Sequence, residues 1–338
     1  MMGNQRVPKP LKLHFINVDP NIEDEKDYYI QSVGSQSEYL VACDDPEEAD
    51  WILITDFSEP YQFGLVHKLK VVSEYPEKSI IVTECDQPIE ILPGLYSSGL
   101  SSCRIGRFID GWHYPWLNRR FPNQQIQISN DEAISQKDFL ATFLGYPSHI
   151  IRLRLVKLFG SYPNMDITVT KDYHHFEEND DLDSETAQKR YVNMIRKSHF
   201  SICPRGRGPS SMRLFDSMRF GVAPVIISDE WVKPSFVDWD SCSLRIKEKR
   251  LSELHHILEE HKEDSLEMGR NARTIYENYF ADECLPKTLR SALDQMTLSL
   301  TTPPNVSPLI ILITRLNRLV SFKTAFYKAV LYNRINRI

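Results

Sequence analysis

The sequence predicts an α/β protein of two Rossmann-like domains facing a cleft, followed by a C-terminal amphipathic helix. Three observations predict it. Short apolar runs alternate with longer amphipathic ones, as in open α/β sheets. The alternation occurs in two consecutive series, split by a loop-rich stretch with a boundary near 125–137. Residues 301–338 follow a third pattern, apolar and basic at helical spacing.

In the first series, LKLHFINV (12–19, to within one residue), WILITDF (51–57) and SIIVTEC (79–85) read as strands ending beside polar residues. QPIEILPGLYSSGLSS and GWHYPWLNRRFPNQQ read as loops. In the second series DFLATFLG (138–145) is a strand and SHIIRLRLVKLFG (148–160) a helix, with Ser148 as N-cap and Gly160 as terminator. DITVTKD (166–172) is a strand, the charge run EENDDLDSE (177–185) a solvated loop, and ETAQKRYVNMIRKS a helix. HFSICP and APVIIS are strands around the helix SMRLFDSMRFG, CSLRIKE is a further candidate strand, and helices follow residue 250. The domains are expected at 1–136 and 137–300, with the basic helix at 301–338. There Leu309, Leu312, Leu316, Leu319, Phe322, Phe326 and Val330 step by three or four. Either this helix packs on the body or it lies on anionic lipid.

Composition narrows the class. With 41% hydrophobic and 25% charged residues the chain is globular, and Gly (13) below Pro (20) argues against repeats and flexible linkers. The six cysteines, Cys43, Cys85, Cys103, Cys203, Cys242 and Cys284, form no CxxC pair and read as buried thiols. No signal-peptide core and no run of about 20 apolar residues is seen, so the reading is cytoplasmic. Net charge is −6, but nothing acidic follows Asp294 and the tail carries six basic residues. The remaining 34 basic residues face 46 acidic ones, which excludes nucleic acid bound through bulk charge.

The chemistry concentrates at CPRGRGPSSMR (203–213), where a strand meets a helix. Helix starts favour anions, so Arg205, Arg207 and Arg213 there call for a bound anion. Gly206, Gly208 and Pro209 shape the loop, Ser210 or Ser211 caps the helix, and Met212, Phe215 and Met218 are its buried side. Backbone N–H groups with flanking arginines form a diphosphate cradle, since the guanidinium fork meets phosphate oxygens in pairs. GYPSHIIRLR repeats the pattern with His149, Arg152 and Arg154 at another helix start on the same strand edge. Asp216, one turn on, is placed to accept from ribose hydroxyls; the competing reading is a surface pair with Arg213. There is no Walker A loop, and Ser211 stands where the third glycine of a dinucleotide fingerprint belongs.

The stretch SHFSICPRGRGPSSMRLFDSMRFGVAPVIISDEWVKPSF resembles the signature of the exostosin-like glycosyltransferases, glycosyltransferase family 47. The elements are the C-P-R-G turn, Ser211, Arg213 and Leu214 of an S-x-R-L pattern, and Gly221, Pro224, Val225, Ile226 and Asp229. FLGYPSHIIR resembles another element of the family, with Ile150 where proline is usual, and the similarity covers about 137–240. The resemblance implies a GT-B-type fold and inverting sugar transfer from a nucleotide-sugar, a UDP-sugar in this reading, without an obligatory metal or cofactor. The acceptor would be a glycan or lipid-linked glycan of polysaccharide biosynthesis, and the enzyme a cytoplasmic, membrane-peripheral one. Carried over by position, Arg152, Arg205, Arg213 and Ser211 would meet the diphosphate, and Asp216 stands where the family has Glu. A GDP-sugar-using fucosyltransferase and a non-catalytic binder on the same scaffold are the alternatives.

Inverting transfer needs a base for the acceptor hydroxyl. Asp56, Glu84, Asp86 and His113 are the candidates, Asp86 the preferred one because it follows a strand; its competing role is to form a turn before Gln-Pro. Trp112, Tyr114 and Trp116 either stack on acceptor rings or pack the body. Asp229 either hydrogen-bonds the donor sugar or caps the next turn.

Overall fold

The computed structural model describes residues 9–19, 24–34, 38–57, 59–103, 109–128, 136–170 and 182–299. Their contacts divide into two compact units. The first runs through Trp116, takes in Val232–Phe236 and resumes at Tyr279; the second comprises Leu117–Trp231 and Val237–Asn278.

The first unit contains β1 (Leu11–Asn17), α1 (Asp24–Gly34), β2 (Leu40–Ala42), β3 (Trp51–Thr55), α2 (Lys70–Glu74), β4 (Ser79–Thr83), β5 (Gly94–Tyr96) and β6 (Ile109–Gly111). All pair in parallel, in the order β2-β1-β3-β4-β5-β6. WILIT and SIIVT are buried at every position, which is why they are apolar throughout rather than alternating. The loops expected over 87–102 and 111–125 hold β5 and the short helices α3 (Pro115–Arg120) and α4 (Gln124–Ile128). Three-residue strands leave too little periodicity to be read from sequence.

The second unit continues with β7 (Phe139–Gly145), α5 (Ile150–Phe159), β8 (Met165–Val169), α6 (Leu182–Arg196), β9 (Ser198–Pro204), α7 (Met212–Arg219), β10 (Ala223–Ile227), β11 (Leu244–Arg245), α8 (Leu254–Glu260) and α9 (Ser265–Ile275). Its sheet is parallel in the order β11-β10-β9-β7-β8. Phe143, Ile167, Phe200, Ile202, Val225 and Leu258 belong to its main core. Gly221 has φ +65 between α7 and β10, which favours glycine, and a Cβ on Gly269 would lie 2.2 Å from the Gly221 oxygen, so α9 reaches this corner only because residue 269 has no side chain.

The units depart from the expected boundaries at both ends. Ile126 of α4 packs with Val192, Ile195, Phe220 and Val222, so the second unit starts before residue 137. The last described helix, α10 (Leu285–Ser299), returns to the first unit, where Leu285, Leu289, Ala292, Leu293 and Met296 join Leu13, Tyr29 and Leu40. An apolar helix face does not announce which core it will cover. The charge run also changes: 182–185 begin α6 rather than lying in a loop. The basic helix expected at 301–338 lies outside the described residues. Among those described, no helix is long and apolar enough to cross a membrane.

Candidate functional site

In chain order the second sheet runs 2-1-3-4-5, so its winding reverses between β7 and β9. Ligands of open α/β sheets gather beyond the carboxyl ends of the strands at such a switch point. The sequence leading from β7 into α5 and that leading from β9 into α7 flank it. They abut closely: a Cβ on Gly206 would come within 3.1 Å of Arg152 Nη2 and 3.2 Å of Ser148 Oγ. The N-cap of α5 is His149 rather than Ser148, its Nδ1 accepting from the Ile151 N–H at 3.3 Å. His149 is the residue in extended conformation immediately before the helix, and the side chain at that position reaches the orphan N–H groups.

Arg152 lies across the switch point. Its Nε donates to the Arg205 carbonyl (3.0 Å), Nη1 to Tyr146 (2.8 Å) and Nη2 to Pro204 (3.2 Å). This arginine fastens one loop to the other through main-chain oxygens. Arg205 extends the ladder, its N–H donating to Ile227 at 3.1 Å, while Nη1 stands 3.9 Å from Glu248 Oε1. Arg207 is exposed on the loop.

At the head of α7, Ser211 is the N-cap by backbone (φ −150, ψ 125), yet its hydroxyl makes no capping bond. Beside it Ser210 is 5% exposed, and its hydroxyl has no hydrogen-bond partner among the described residues. Arg213, also 5% exposed, donates from Nη2 to the Thr142 carbonyl (3.3 Å) and Oγ1 (3.2 Å) and lies over the Tyr191 ring at 5.0 Å. Its Nε and Nη1 are buried without a partner among the described residues. Buried donors of this kind carry a desolvation penalty unless something accepts from them. An anion would supply the acceptors that such donors and a half-capped helix start lack. Asp216 is buried, and its Oδ2 accepts the Tyr191 hydroxyl at 2.6 Å. Burial first, and then the Asp216 carboxylate, push the Tyr191 pKa well above the usual tyrosine range.

Beyond β10, Asp229 and Glu248 exchange bonds. Asp229 Oδ1 accepts from the Glu248 N–H (3.1 Å) and Glu248 Oε1 from the Asp229 N–H (3.4 Å). Asp229 thus meets the start of the 3-10 turn at Glu248–Glu253. Sequence reasoning singled out neither Ser228, nor Glu248, nor Tyr191. Only Ser210 had a local signal, as the neighbour of Ser211; the others reach the edge through the fold.

The first sheet has the same reversal, between β1 and β3. Asp86 is exposed past the end of β4, on a different unit from the arginines. Glu84 is 5% exposed, its Oε1 accepting from the Trp116 N–H at 2.7 Å. Asp56 adopts φ 66 and accepts from the Glu25 N–H (3.0 Å), while Glu25 Oε2 accepts from the Asp56 N–H (2.8 Å). Burial, then Glu84 and Asp56, push the Glu25 pKa well up. His113 is buried, and burial lowers its pKa to about 3, so it stays neutral within the core. Trp112 and Tyr114 are core residues too, with Trp112 Nε1 donating to the Tyr29 hydroxyl at 2.9 Å. Among the described residues no group of three or more His, Cys, Asp or Glu is arranged to hold a metal ion.

Residues 115–261, which include this edge of the second unit, match the exostosin GT47 domain. An exostosin-1 homolog of Caenorhabditis elegans is 30% identical over 119 residues, covering 34% of this chain and 30% of that protein. Exostosin-1 of Drosophila melanogaster is 25% identical over 184 residues, 49% of this chain and 24% of that protein. The matches therefore span less than a third of these relatives. The crystal structure of an α1,3-fucosyltransferase superposes with a TM-score of 0.40 at 14% identity, covering 91% of this chain and 95% of that one.

Proposed function

We propose, from the homology of residues 115–261 to the exostosin GT47 domain, that this protein is a glycosyltransferase that binds a nucleotide-sugar, a UDP-sugar, at the switch point of its second unit. The observation that carries the reading is the head of α7, where Ser210 and Arg213 have buried polar atoms with no hydrogen-bond partner among the described residues, beside a helix start without a side-chain cap. A diphosphate would supply the missing acceptors. Its negative charge would meet Arg213, the exposed Arg207, the Ser211 hydroxyl and the first N–H groups of α7. As the bond between the sugar and the diphosphate breaks, charge grows on the leaving oxygen, and fixed donors of this kind stabilise it. In this reading Arg152 positions the loops and Arg205 lines the site. Asp216 fixes Tyr191 under Arg213, and Asp229 borders the sugar.

The acceptor hydroxyl, on a glycan or lipid-linked glycan, attacks with inversion and gives its proton to a carboxylate, for which Asp86 is named. No metal enters the scheme. The basic stretch 301–338 would rest on anionic lipid at the cytoplasmic face; a chain ending near residue 303 should lose binding to anionic vesicles.

Calorimetric titration of the full chain with UDP, GDP and CDP tests the nucleotide site. The expected result is UDP binding, weakened at least about tenfold in Arg207→Ala, with slow release of UDP from a UDP-sugar. Absence of binding by all three at millimolar concentration would overturn the reading. Tight binding without any turnover would favour a non-catalytic binder.

A further inference from the structure

Helix α7 carries a counter-ion for its own arginine. Arg213 and Asp216 stand three positions apart on it, a spacing at which helical side chains are neighbours, and both are buried. A guanidinium and a carboxylate so placed away from water would be expected to pair, and the pair would occupy the arginine's donors. No hydrogen bond joins them. Arg213 Nη2 donates to Thr142, and Nε and Nη1 have no hydrogen-bond partner among the described residues.

Asp216 turns to a different donor. Its Oδ2 accepts the hydroxyl of Tyr191, on α6, at 2.6 Å, a length typical of a hydroxyl donating to a carboxylate. Burial, and then the Asp216 charge, raise the Tyr191 pKa well above the usual tyrosine range, so the hydroxyl keeps its proton and remains a donor. The guanidinium of Arg213 lies over the ring of the same tyrosine at 5.0 Å, with the Phe143 ring at 6.0 Å. Tyr191 therefore meets both charges, the cation with its ring and the anion with its hydroxyl.

We propose that Tyr191 is a positioning residue of the anion site, its hydroxyl holding the Asp216 carboxylate away from Arg213 so that the guanidinium keeps open donors for the diphosphate. The inference rests on the nucleotide-site reading above. Without the hydroxyl, the buried carboxylate would lack this donor while Nε and Nη1 of Arg213, one helical turn away, lack an acceptor. An ion pair formed between them would compete with the ligand for the same donors. Molecules closed in that way would not bind, and the apparent affinity would fall in proportion to the open fraction.

The test is calorimetric titration of the full chain with inorganic diphosphate, which has neither base nor ribose, and with UDP. Wild type, Tyr191→Phe, Asp216→Asn and the double variant are compared. Tyr191→Phe keeps the ring and removes only the hydroxyl; it should bind diphosphate at least about tenfold more weakly. Asp216→Asn should bind diphosphate at least as tightly as wild type, to within about threefold. In that background Tyr191→Phe should change the affinity by less than about threefold, because no carboxylate is left to hold. A merely structural role would not show this rescue, since damage to the fold would persist in the double variant. Diphosphate binding by Tyr191→Phe at the wild-type level overturns the inference. So does a loss that persists beside Asp216→Asn, which would place the hydroxyl on the ligand or in the fold. Should Tyr191→Phe fold poorly, Asp216→Asn alone decides: tenfold weaker binding there would make the carboxylate a support of the site and overturn the inference, while retained binding upholds it. Diphosphate binding that depends on Tyr191 as described, with no binding of UDP, overturns the nucleotide reading and leaves the role of Tyr191 in place. UDP binding indifferent to Tyr191→Phe does the reverse, and if wild type binds neither, both readings fall.

Discussion

Arg213→Met asks whether the arginine at the head of α7 serves the fold or an anion. Its Nη2 makes two long hydrogen bonds to Thr142, at 3.3 and 3.2 Å, and the guanidinium lies 5.0 Å from the Tyr191 ring centroid. At these lengths the bonds contribute about 1 kcal/mol each, and the ring contact about 1–2 kcal/mol. Against this stand Nε and Nη1, buried without partners among the described residues. Each costs about 1–3 kcal/mol. The opposing sums nearly cancel. Methionine is unbranched, flexible and apolar, so it should fill the slot and leave the nucleotide-free protein within about 2 kcal/mol of wild type.

The ligand side of the balance is different. At about one hundred times its Kd, UDP stabilises the native state by about 2.7 kcal/mol. For a unit of this size that corresponds to a rise of about 5–10 °C in Tm. Differential scanning fluorimetry with and without UDP should show that rise in wild type and none in Arg213→Met, with the two nucleotide-free melts close together. Two results would refute the reasoning. A loss of more than about 3 kcal/mol in the nucleotide-free variant would make Arg213 a structural residue, and an unchanged UDP shift would place the nucleotide elsewhere.

Gly269→Ala would set a Cβ 2.2 Å from the Gly221 oxygen and force α9 away from β10; urea denaturation should show a loss of about 2–3 kcal/mol. Asp110 is buried, and its Oδ1 accepts from the N–H groups of Gly111 (2.8 Å) and Ser235 (2.9 Å) while Oδ2 accepts the Ser235 hydroxyl (2.6 Å). Asp110→Asn should therefore cost about 2–3 kcal/mol, read from tryptophan fluorescence during unfolding, and a variant as stable as wild type would show that Val232–Phe236 is held some other way. Glu25 has a native pKa above its unfolded value, so the native state holds the extra proton and stability falls as pH rises from the ordinary carboxylate range through the native pKa. Glu84, Asp56, Lys26 and Tyr29 are the ionisable groups around it or its partner Asp56. Glu25→Gln should accordingly raise Tm more at pH 8 than at pH 5; an equal change at both would mean that the charge of Glu25 is not what destabilises the site.

Strands whose residues are buried on both faces were legible because WILIT, SIIVT and APVII admit no other reading at that length. The head of α7 was legible because Ser211 and the arginines are contiguous with it. What escaped was set by distance along the chain. α10 could be recognised as an amphipathic helix, but its destination, the core around Leu13 and Tyr29, depends on a fold that brings residue 285 beside residue 13. Glu25 carried no signal beside the acids that follow strands, because its environment comes from Asp56 and Glu84, 31 and 59 positions away. His113 looked like a base in a polar-aromatic loop. Only burial shows that it cannot hold a proton near neutral pH.

The same limit separates the arginines from one another. In sequence Arg152, Arg205 and Arg213 are equivalent cations at helix starts. In the structure Arg152 gives three donors to main-chain oxygens, and Arg205 faces a carboxylate. Of the three only Arg213 is a buried residue, and its Nε and Nη1 both lack a hydrogen-bond partner among the described residues. A cation satisfied by the protein can shape a site without gaining much when a ligand arrives. One left unsatisfied in a buried place lowers its free energy on ligand binding by the whole penalty it carried before. The residue most responsible for affinity should therefore be the one that contributes least to the stability of the empty protein. By that criterion the proposed anion should rest on Arg213, while Arg152 joins the two loops beside it.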